Sequence, residues 1–243
     1  MKDLNVDKIR KLLKTDLDVY VYDEVTSTND VAKEIDSGVV FALRQTNGRG
    51  RMGRSFYSGD GGLYFSICMR LGGGNVRMGD VTLPFSPGRL TIAAGIAVCK
   101  VLKNLGYKAL IKWVNDVYVN GKKVCGILAE GVGAKAILGI GINLSSEIPD
   151  ELTYKAASLN CDTDKSEVAA AVINTLRDEL TSPDMDFLMS NCLTLGKTVT
   201  TIDGSGIAVG IDADGALLVE QGDKIKRFFS GEAEIAVEIK ERR

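Results

Sequence analysis

The spacing of apolar and polar residues divides the chain into segments whose period identifies them. DVYVYDEV at 18–25 alternates with period two, as a strand with one buried face does, while VVFALRQ at 39–45 and LYFSICMRL at 63–71 are apolar runs of strand length. RLTIAAGIAVCKVLKNLG at 89–106 repeats apolar residues at helical spacing and ends on Gly106, so it predicts a helix with a glycine stop. ALIKW at 109–113 reads as a strand. VYVNGKKVCGILAE at 117–130 reads as a hairpin, because Asn120-Gly121 between alternating runs favours a type I′ turn. KAILGIGINL at 135–144 adds a buried strand, and KSEVAAAVINTLRDEL at 165–180 a helix capped by Ser166. A short amphipathic helix is expected within 4–14. At TSTND, 26–30, Ser27 can cap a further helix with Asp30 at its third position. Ser27, Thr28 and Asn29 also stand where a strand gives way to a helix, a place that often faces ligand.

Past Gly196 the texture changes. KTVTTI, GIAVGID, GALLVE, IKRFFS and EIAVEI are short runs separated by Asp-Gly and glycine-rich turns, which predicts a small β-barrel of SH3-like size. The expected class is α+β: a mainly antiparallel mixed sheet with flanking helices over residues 1–194, then a small β-domain over 195–243.

With 243 residues, 45% of them hydrophobic, and a mean hydropathy of +0.05, the chain can bury a full core. A net charge of −2 argues against a general nucleic-acid or anionic-membrane surface, so any basic cluster serves a local anion. The five cysteines are widely spaced without a C-x-x-C, which suggests neither a disulfide framework nor a zinc site. The N-terminus is too charged for a signal peptide, and the run LTIAAGIAVC at 90–99 is too short for a membrane span. A cytoplasmic location is expected. The stretch before Ser27 is also too short for a winged-helix domain of about 60 residues. Histidine is absent, which removes Ser-His and Cys-His triads, imidazole bases and histidine-ligated metals. Chemistry must rest on lysine, arginine, carboxylates, amides and backbone.

GRGRMGR at 48–54 satisfies G-x-G-x-x-G, the dinucleotide fingerprint. Its surroundings do not: RSFYSGDGG at 54–62 cannot open a helix, and no acid stands at a strand end about 20 residues on. Three arginines on a glycine-rich loop instead suggest a lid over anionic groups, with Arg49, Arg51 and Arg54 offering bidentate donors. Without an anion, each close pair of like charges costs about 1 kcal/mol in water. A second cluster spans 111–130, where Lys112, Asn115 and Asp116 crowd one strand end and Lys122 and Lys123 open the next arm. Period-two geometry groups Lys123 with Cys125, Ile127 and Ala129, and Lys122 with Val124 and Leu128, so one lysine faces a site and the other water. A third, weaker signal is GIGINL at 139–144, which a tight strand end explains equally well.

TSTND, the 45–54 segment Q-x-x-G-R-G-R-x-G-R, KWVND, KVCGILAE and GIGIN, in this order, closely resemble the biotin protein ligase family. The resemblance covers about residues 19–145 and is consistent with the tail. It implies the fold shared by class II aminoacyl-tRNA synthetases and biotin ligases. It also implies an activity: biotin is activated with ATP to biotinyl-5′-AMP, then joined to a lysine of a biotin carboxyl carrier protein domain. On the family pattern Ser27, Thr28, Asn29 and Gln45 hold the ureido ring and its surroundings. Gly48, Arg49, Gly50 and Arg51 close over it, and Lys123 beside Gly126 meets the biotin carboxylate. Arg51, Arg54, Lys112, Asn115, Asp116 and Asn143 surround the nucleotide, with Trp113 on the adenine side. Arg51, Lys123 and Asp116 are the catalytic candidates, and Mg²⁺ is expected mainly on the ATP phosphates. A homodimer is compatible with the resemblance; nucleic-acid and membrane partners are not expected.

The chain departs from the pattern at Val114, where proline is usual, at Met52, at Phe56, where tryptophan is common, and at the SGDGG turn 58–62. None of these removes a charged participant. A lipoate or octanoyl ligase of the same fold is the neighbouring alternative, but such families commonly use a histidine-bearing segment or a catalytic cysteine. A non-catalytic biotin sensor is the alternative from another class.

Overall fold

The computed structural model describes residues 4–229 and 233–235. In chain order its first strands are β1 (Val19–Val25), β2 (Gly38–Gln45), β3 (Leu63–Gly72), β4 (Asn75–Met78), β5 (Val81–Pro84), β6 (Ala109–Lys112), β7 (Asp116–Val119), β8 (Lys122–Val132) and β9 (Lys135–Ile142). They form one sheet in the order β1-β2-β3-β9-β8-β7-β6, with β4 and β5 continuing as a hairpin from the end of β3. The ladder between β1 and β2 is parallel and the others in this sheet are antiparallel, which matches the expected mixed sheet.

Helices α1 (Val6–Leu12), α3 (Pro87–Asn104) and α4 (Lys165–Thr181) cover one face, where Phe41, Phe65, Ile67, Ile127 and Leu138 meet Ile96, Val172 and Leu176 in a continuous core. Helix α2 (Thr28–Glu34) packs on the opposite face through Ala32, against Val40, Cys68 and Ile137. The first five residues of β2 are therefore buried from both sides, which is why their sequence is a solid apolar run rather than an alternation. Beyond α2, that second face is left open for a site.

Local details correct the sequence reading. Ser27 is the residue before α2, but its hydroxyl makes no capping bond, and Asp30 pairs with Arg49 and Lys33 rather than reaching back. Helix α3 begins two residues earlier than its apolar pattern, at Pro87, with Ser86 Oγ accepting from Arg89 N at 3.4 Å. Helix α4 is capped by Asp164, not Ser166: Asp164 Oδ1 accepts from Ser166 N at 2.8 Å, while Ser166 Oγ accepts from Asn5 N at 3.0 Å. The hairpin turn is as expected, since Asn120 and Gly121 both have positive φ, 50° and 76°. The β4–β5 hairpin and α5 (Met185–Asn191) have no counterpart in the sequence reading, being four-residue strands and a seven-residue helix whose patterns are too short to register.

The remaining strands, β10 (Thr198–Thr201), β11 (Gly204–Ile211), β12 (Leu217–Gln221), β13 (Lys224–Phe228) and β14 (Ala233–Ile235), form an antiparallel sheet ordered β13-β12-β11-β10-β14. This is the SH3-like unit expected from the turn spacing. The predicted strand EIAVEI, 234–239, is described only as far as Ile235; the rest lies outside the described residues. Ile211, Leu217 and Val219 share the larger core, and Trp113 Nε1 donates to Gly215 O at 2.9 Å, so the smaller sheet is docked on the edge that carries β6 and β7.

Candidate active site

A cavity of about 1150 Å³ opens over the free face of the sheet. It is larger than the roughly 300–1,000 Å³ usual for one small ligand, which fits two substrates side by side. Every residue assigned above to biotin, nucleotide or catalysis borders it.

The floor is made of glycine. Gly126 and Gly141 face each other across β8 and β9, and Gly139 stands opposite Leu128. A Cβ on Gly141 would lie 2.6 Å from the Phe56 ring, and one on Gly126 would lie 2.9 Å from it. One on Gly139 would collide with Asn29 Oδ1. GIGINL is therefore more than a strand end: its glycines clear space for side chains lying flat on the sheet.

At the α2 end, polar groups are buried and bonded to each other. Gln45 Oε1 accepts from Thr28 N at 2.7 Å and Thr28 Oγ1 at 3.1 Å, while Gln45 Nε2 donates to Ser58 Oγ at 2.8 Å. Ser66 Oγ lies 2.7 Å from Thr28 Oγ1 and 2.6 Å from Asn29 Oδ1, and Asn29 Nδ2 donates to Glu130 Oε2 at 2.6 Å. The sequence reading missed Ser66, Ser58 and Glu130. Ser66 had a legible signal, since a hydroxyl inside an apolar strand buried on both sides must find a partner.

The lid arginines separate into different roles. Arg49 Nη2 donates to Asp30 Oδ1 at 2.6 Å and Glu130 Oε2 at 3.2 Å, so its anions come from the protein itself. Arg54 is exposed and reaches Glu234 of β14 at 3.4 Å. Among the described residues Arg51 forms no ion pair; Arg51 Nη1 donates to Asn115 Oδ1 at 3.1 Å. Burial lowers its pKa below the ordinary arginine value, the Asp116 charge opposes this, and Arg54 adds to it. A guanidinium so placed gains from an anion entering the cavity.

On the other wall, Lys123 Nζ lies 2.7 Å from Asp116 Oδ1, an ion pair whose angle is poor for a directed hydrogen bond, and 5.7 Å from the centre of the Phe56 ring. Lys122 is exposed. Lys123 does face the site, yet the grouping derived from simple alternation is wrong. The β7–β8 register pairs Val117 with Cys125 and Tyr118 with Lys123, which leaves Val124 as a bulge. Val124 and Cys125 both enter the core, and Lys123 shares the cavity face with Gly126 and Leu128 instead of Cys125 and Ile127. Tyr118 borders the cavity beside Lys123, and burial raises its pKa. Asn115 is fixed by donating Nδ2 to Ile127 O at 3.2 Å, and Asn143 by donating Nδ2 to Ala157 O at 3.2 Å. Asn143 Oδ1 is buried and has no hydrogen-bond partner among the described residues. Lys112 Nζ stands 5.4 Å from the Tyr118 ring centre. Trp113 is largely buried, and its peptide bond to Val114 is cis.

Several known proteins are similar to this chain in sequence and fold. The biotin/lipoate A/B protein ligase family matches residues 22–146, and the biotin protein ligase C-terminal domain matches 194–235. The bifunctional ligase/repressor BirA of Bacillus subtilis is 32% identical over 266 residues, spanning 96% of this chain and 79% of that protein. The biotin–[acetyl-CoA-carboxylase] ligase of Mycobacterium tuberculosis is 31% identical over 79% of this chain and 76% of its own length. The solved structure of the Aquifex aeolicus biotin protein ligase, in complex with biotin and ATP, superimposes with a TM-score of 0.76 at 31% identity, over 90% of this chain and 98% of that one.

Proposed function

Because the chain belongs to the biotin/lipoate A/B protein ligase family, and within it to the biotin protein ligases, we propose that it activates biotin with ATP and transfers it to a lysine of a biotin carboxyl carrier protein domain. One observation carries the reading on this chain's own residues. The cavity is sized for two ligands and is flanked by Arg51, which has no carboxylate partner among the described residues, and by Lys123, which pairs with Asp116.

In the first step a biotin carboxylate oxygen attacks the α-phosphorus of ATP. A P–O bond forms, the bond to the β-phosphate oxygen breaks, and pyrophosphate leaves. Two anions must approach, and a cation at 4 Å contributes about 4 kcal/mol at an effective dielectric near 20. Arg51 and Lys123 supply two such cations, and Asn115 holds Arg51 in place. The lid excludes water from the mixed anhydride. Gln45, Thr28 and Ser27 are assigned to the ureido ring, and Trp113, Lys112, Asn143 and Arg54 to the nucleotide side.

Mg²⁺ fits as a companion of ATP. The described residues hold no cluster of three or more carboxylate, cysteine or histidine ligands, but Asn143 Oδ1 borders the cavity with no hydrogen-bond partner among them, and the Asp116 carboxylate stands there paired with Lys123. Such a site suits a cation that arrives mostly coordinated by phosphate, and bound there it would neutralise phosphate charge. In the second step the acceptor amine attacks the acyl carbon and AMP leaves. The amine proton passes to Asp116, which borders the cavity beside Lys123. Residues 1–194 form the catalytic unit in this proposal and 195–243 its companion. Among the described residues no helix is long and apolar enough to cross a membrane; a cytoplasmic location is part of the proposal. Sedimentation with and without biotin tests the homodimer.

The deciding experiment is incubation with labelled biotin, MgATP and a carrier domain. Label on the carrier's lysine is expected. Label with lipoate in place of biotin, or none with either, overturns the reading.

A further inference from the structure

The buried polar groups form an unbroken chain from the ring pocket to the base of the lid. Gln45 bonds Thr28, Thr28 meets Ser66, Ser66 meets Asn29, Asn29 donates to Glu130, and Glu130 receives Arg49. Asp30 and Lys33 flank it: Arg49 Nη2 reaches Asp30 at 2.6 Å, and Lys33 Nζ lies 3.1 Å from Asp30 and 3.6 Å from Glu130.

Two consequences depart from the roles expected of these residues. Both ends of the Asn29 side-chain amide are held by the protein, Oδ1 by Ser66 and Nδ2 by Glu130, and the residue is 4% exposed, so its orientation is set by Glu130 before any ligand arrives. Arg49 already has two carboxylates, so it is not waiting for a substrate anion. We propose that Glu130 and Arg49 are positioning residues: Glu130 joins the ring pocket to the lid, and Arg49 roots the lid so that Arg51, two residues on, meets the acyl phosphate. This rests on the ligase reading above.

The coupling between Glu130 and Arg49 is electrostatic. Glu130 is three-quarters buried and takes bonds from a neutral amide and an arginine on one oxygen while a lysine lies near the other. Removing its charge leaves Arg49 with Asp30 alone, a carboxylate on the more exposed side of the cluster. Any displacement of Thr28 or Asn29 by a ring in the pocket shifts the groups that Glu130 contacts. Groups acting as one unit give losses that do not add.

The test is a double-mutant cycle on Glu130→Gln and Arg49→Gln. Its main readout is the rate at which biotinyl-5′-AMP, formed in place without acceptor, escapes from the protein. Each single variant should speed escape about tenfold, the size of one charge-assisted hydrogen bond, and the double variant also about tenfold rather than about a hundredfold. Losses that multiply, or single variants that release at the wild-type rate, overturn the proposal. A second readout needs no catalysis: trypsin should nick the ligand-free loop at Arg51 and Arg54 equally faster in both single variants, and unchanged nicking also overturns it. If either variant fails to fold, Asp30→Asn, on the exposed side of the same cluster, replaces it in the cycle with the same expectation. Should the wild-type protein make no adenylate at all, the ligase reading fails, while the nicking comparison still decides the lid's anchorage.

Discussion

Single residues decide which positive charges are available for substrate. Arg51→Ala and Lys123→Ala should each lower adenylate formation about a hundredfold or more, measured as biotin-dependent pyrophosphate release, because each removes a cation from the point where two anions meet. Lys122→Ala should stay within about twofold, since that side chain faces water. Asp116→Asn tests the transfer step: adenylate that forms normally but passes slowly to the carrier is expected, and normal transfer would remove the base assignment. The sequence located all three loop arginines and expected each to meet a substrate anion or its surroundings. It could not show that Asp30 and Glu130, 19 and 81 residues away, already pair with Arg49 Nη2, because a long-range ion pair leaves no local pattern. Cys125 illustrates the reverse case. Burial pushes its thiol well above the ordinary value, so it should resist alkylation in the native protein at pH 8 and react on unfolding.

Among the elements, the strands and long helices were legible because each carries a sustained period, and the Asn120-Gly121 turn because its geometry demands positive φ. The face of Lys123 was legible from the motif and not from the strand period. Alternation separated the two lysines but grouped them with the wrong neighbours, and the family resemblance chose between them, since the Val124 bulge resets the parity between Lys123 and Cys125. The glycine floor was visible as GIGIN and KVCG yet not interpretable, because which side a glycine faces depends on strand pairing. Gly141→Ala should raise the biotin KM about tenfold while the protein still folds, because the added methyl displaces the Phe56 ring rather than backbone. A stability contact lies elsewhere. Arg177 hydrogen-bonds Asp80, joining α4 to the turn before β5, and holds that carboxyl at about 2, well below the ordinary range. A carboxyl lowered in the folded state stabilises above its unfolded value, near 3.9, and loses that contribution as pH falls through about 2. The gap in urea midpoint between wild type and Asp80→Asn should therefore hold at neutral pH and shrink between about pH 4 and 2.

At the scale of the whole molecule, the smaller sheet is part of the site's surroundings. Trp113 borders the cavity, donates its indole N–H to Gly215 O, and donates its backbone N–H to Thr194 Oγ1 at 3.0 Å. It is also the chain's one tryptophan. Its emission should therefore change when nucleotide binds, and Trp113→Phe should cost about 1 kcal/mol in urea unfolding through the lost bond to Gly215. The floor has a dynamic counterpart. Where Gly126 faces Gly141 and Gly139 faces Leu128, the central sheet lacks most of the cross-strand side-chain pairs that stiffen its neighbours. In the empty enzyme the Phe56 ring and the Asn29 amide are what cover this strip, so a ligand bound in the cavity, by pinning those two side chains in place, should slow deuterium exchange of the backbone amides along 139–141.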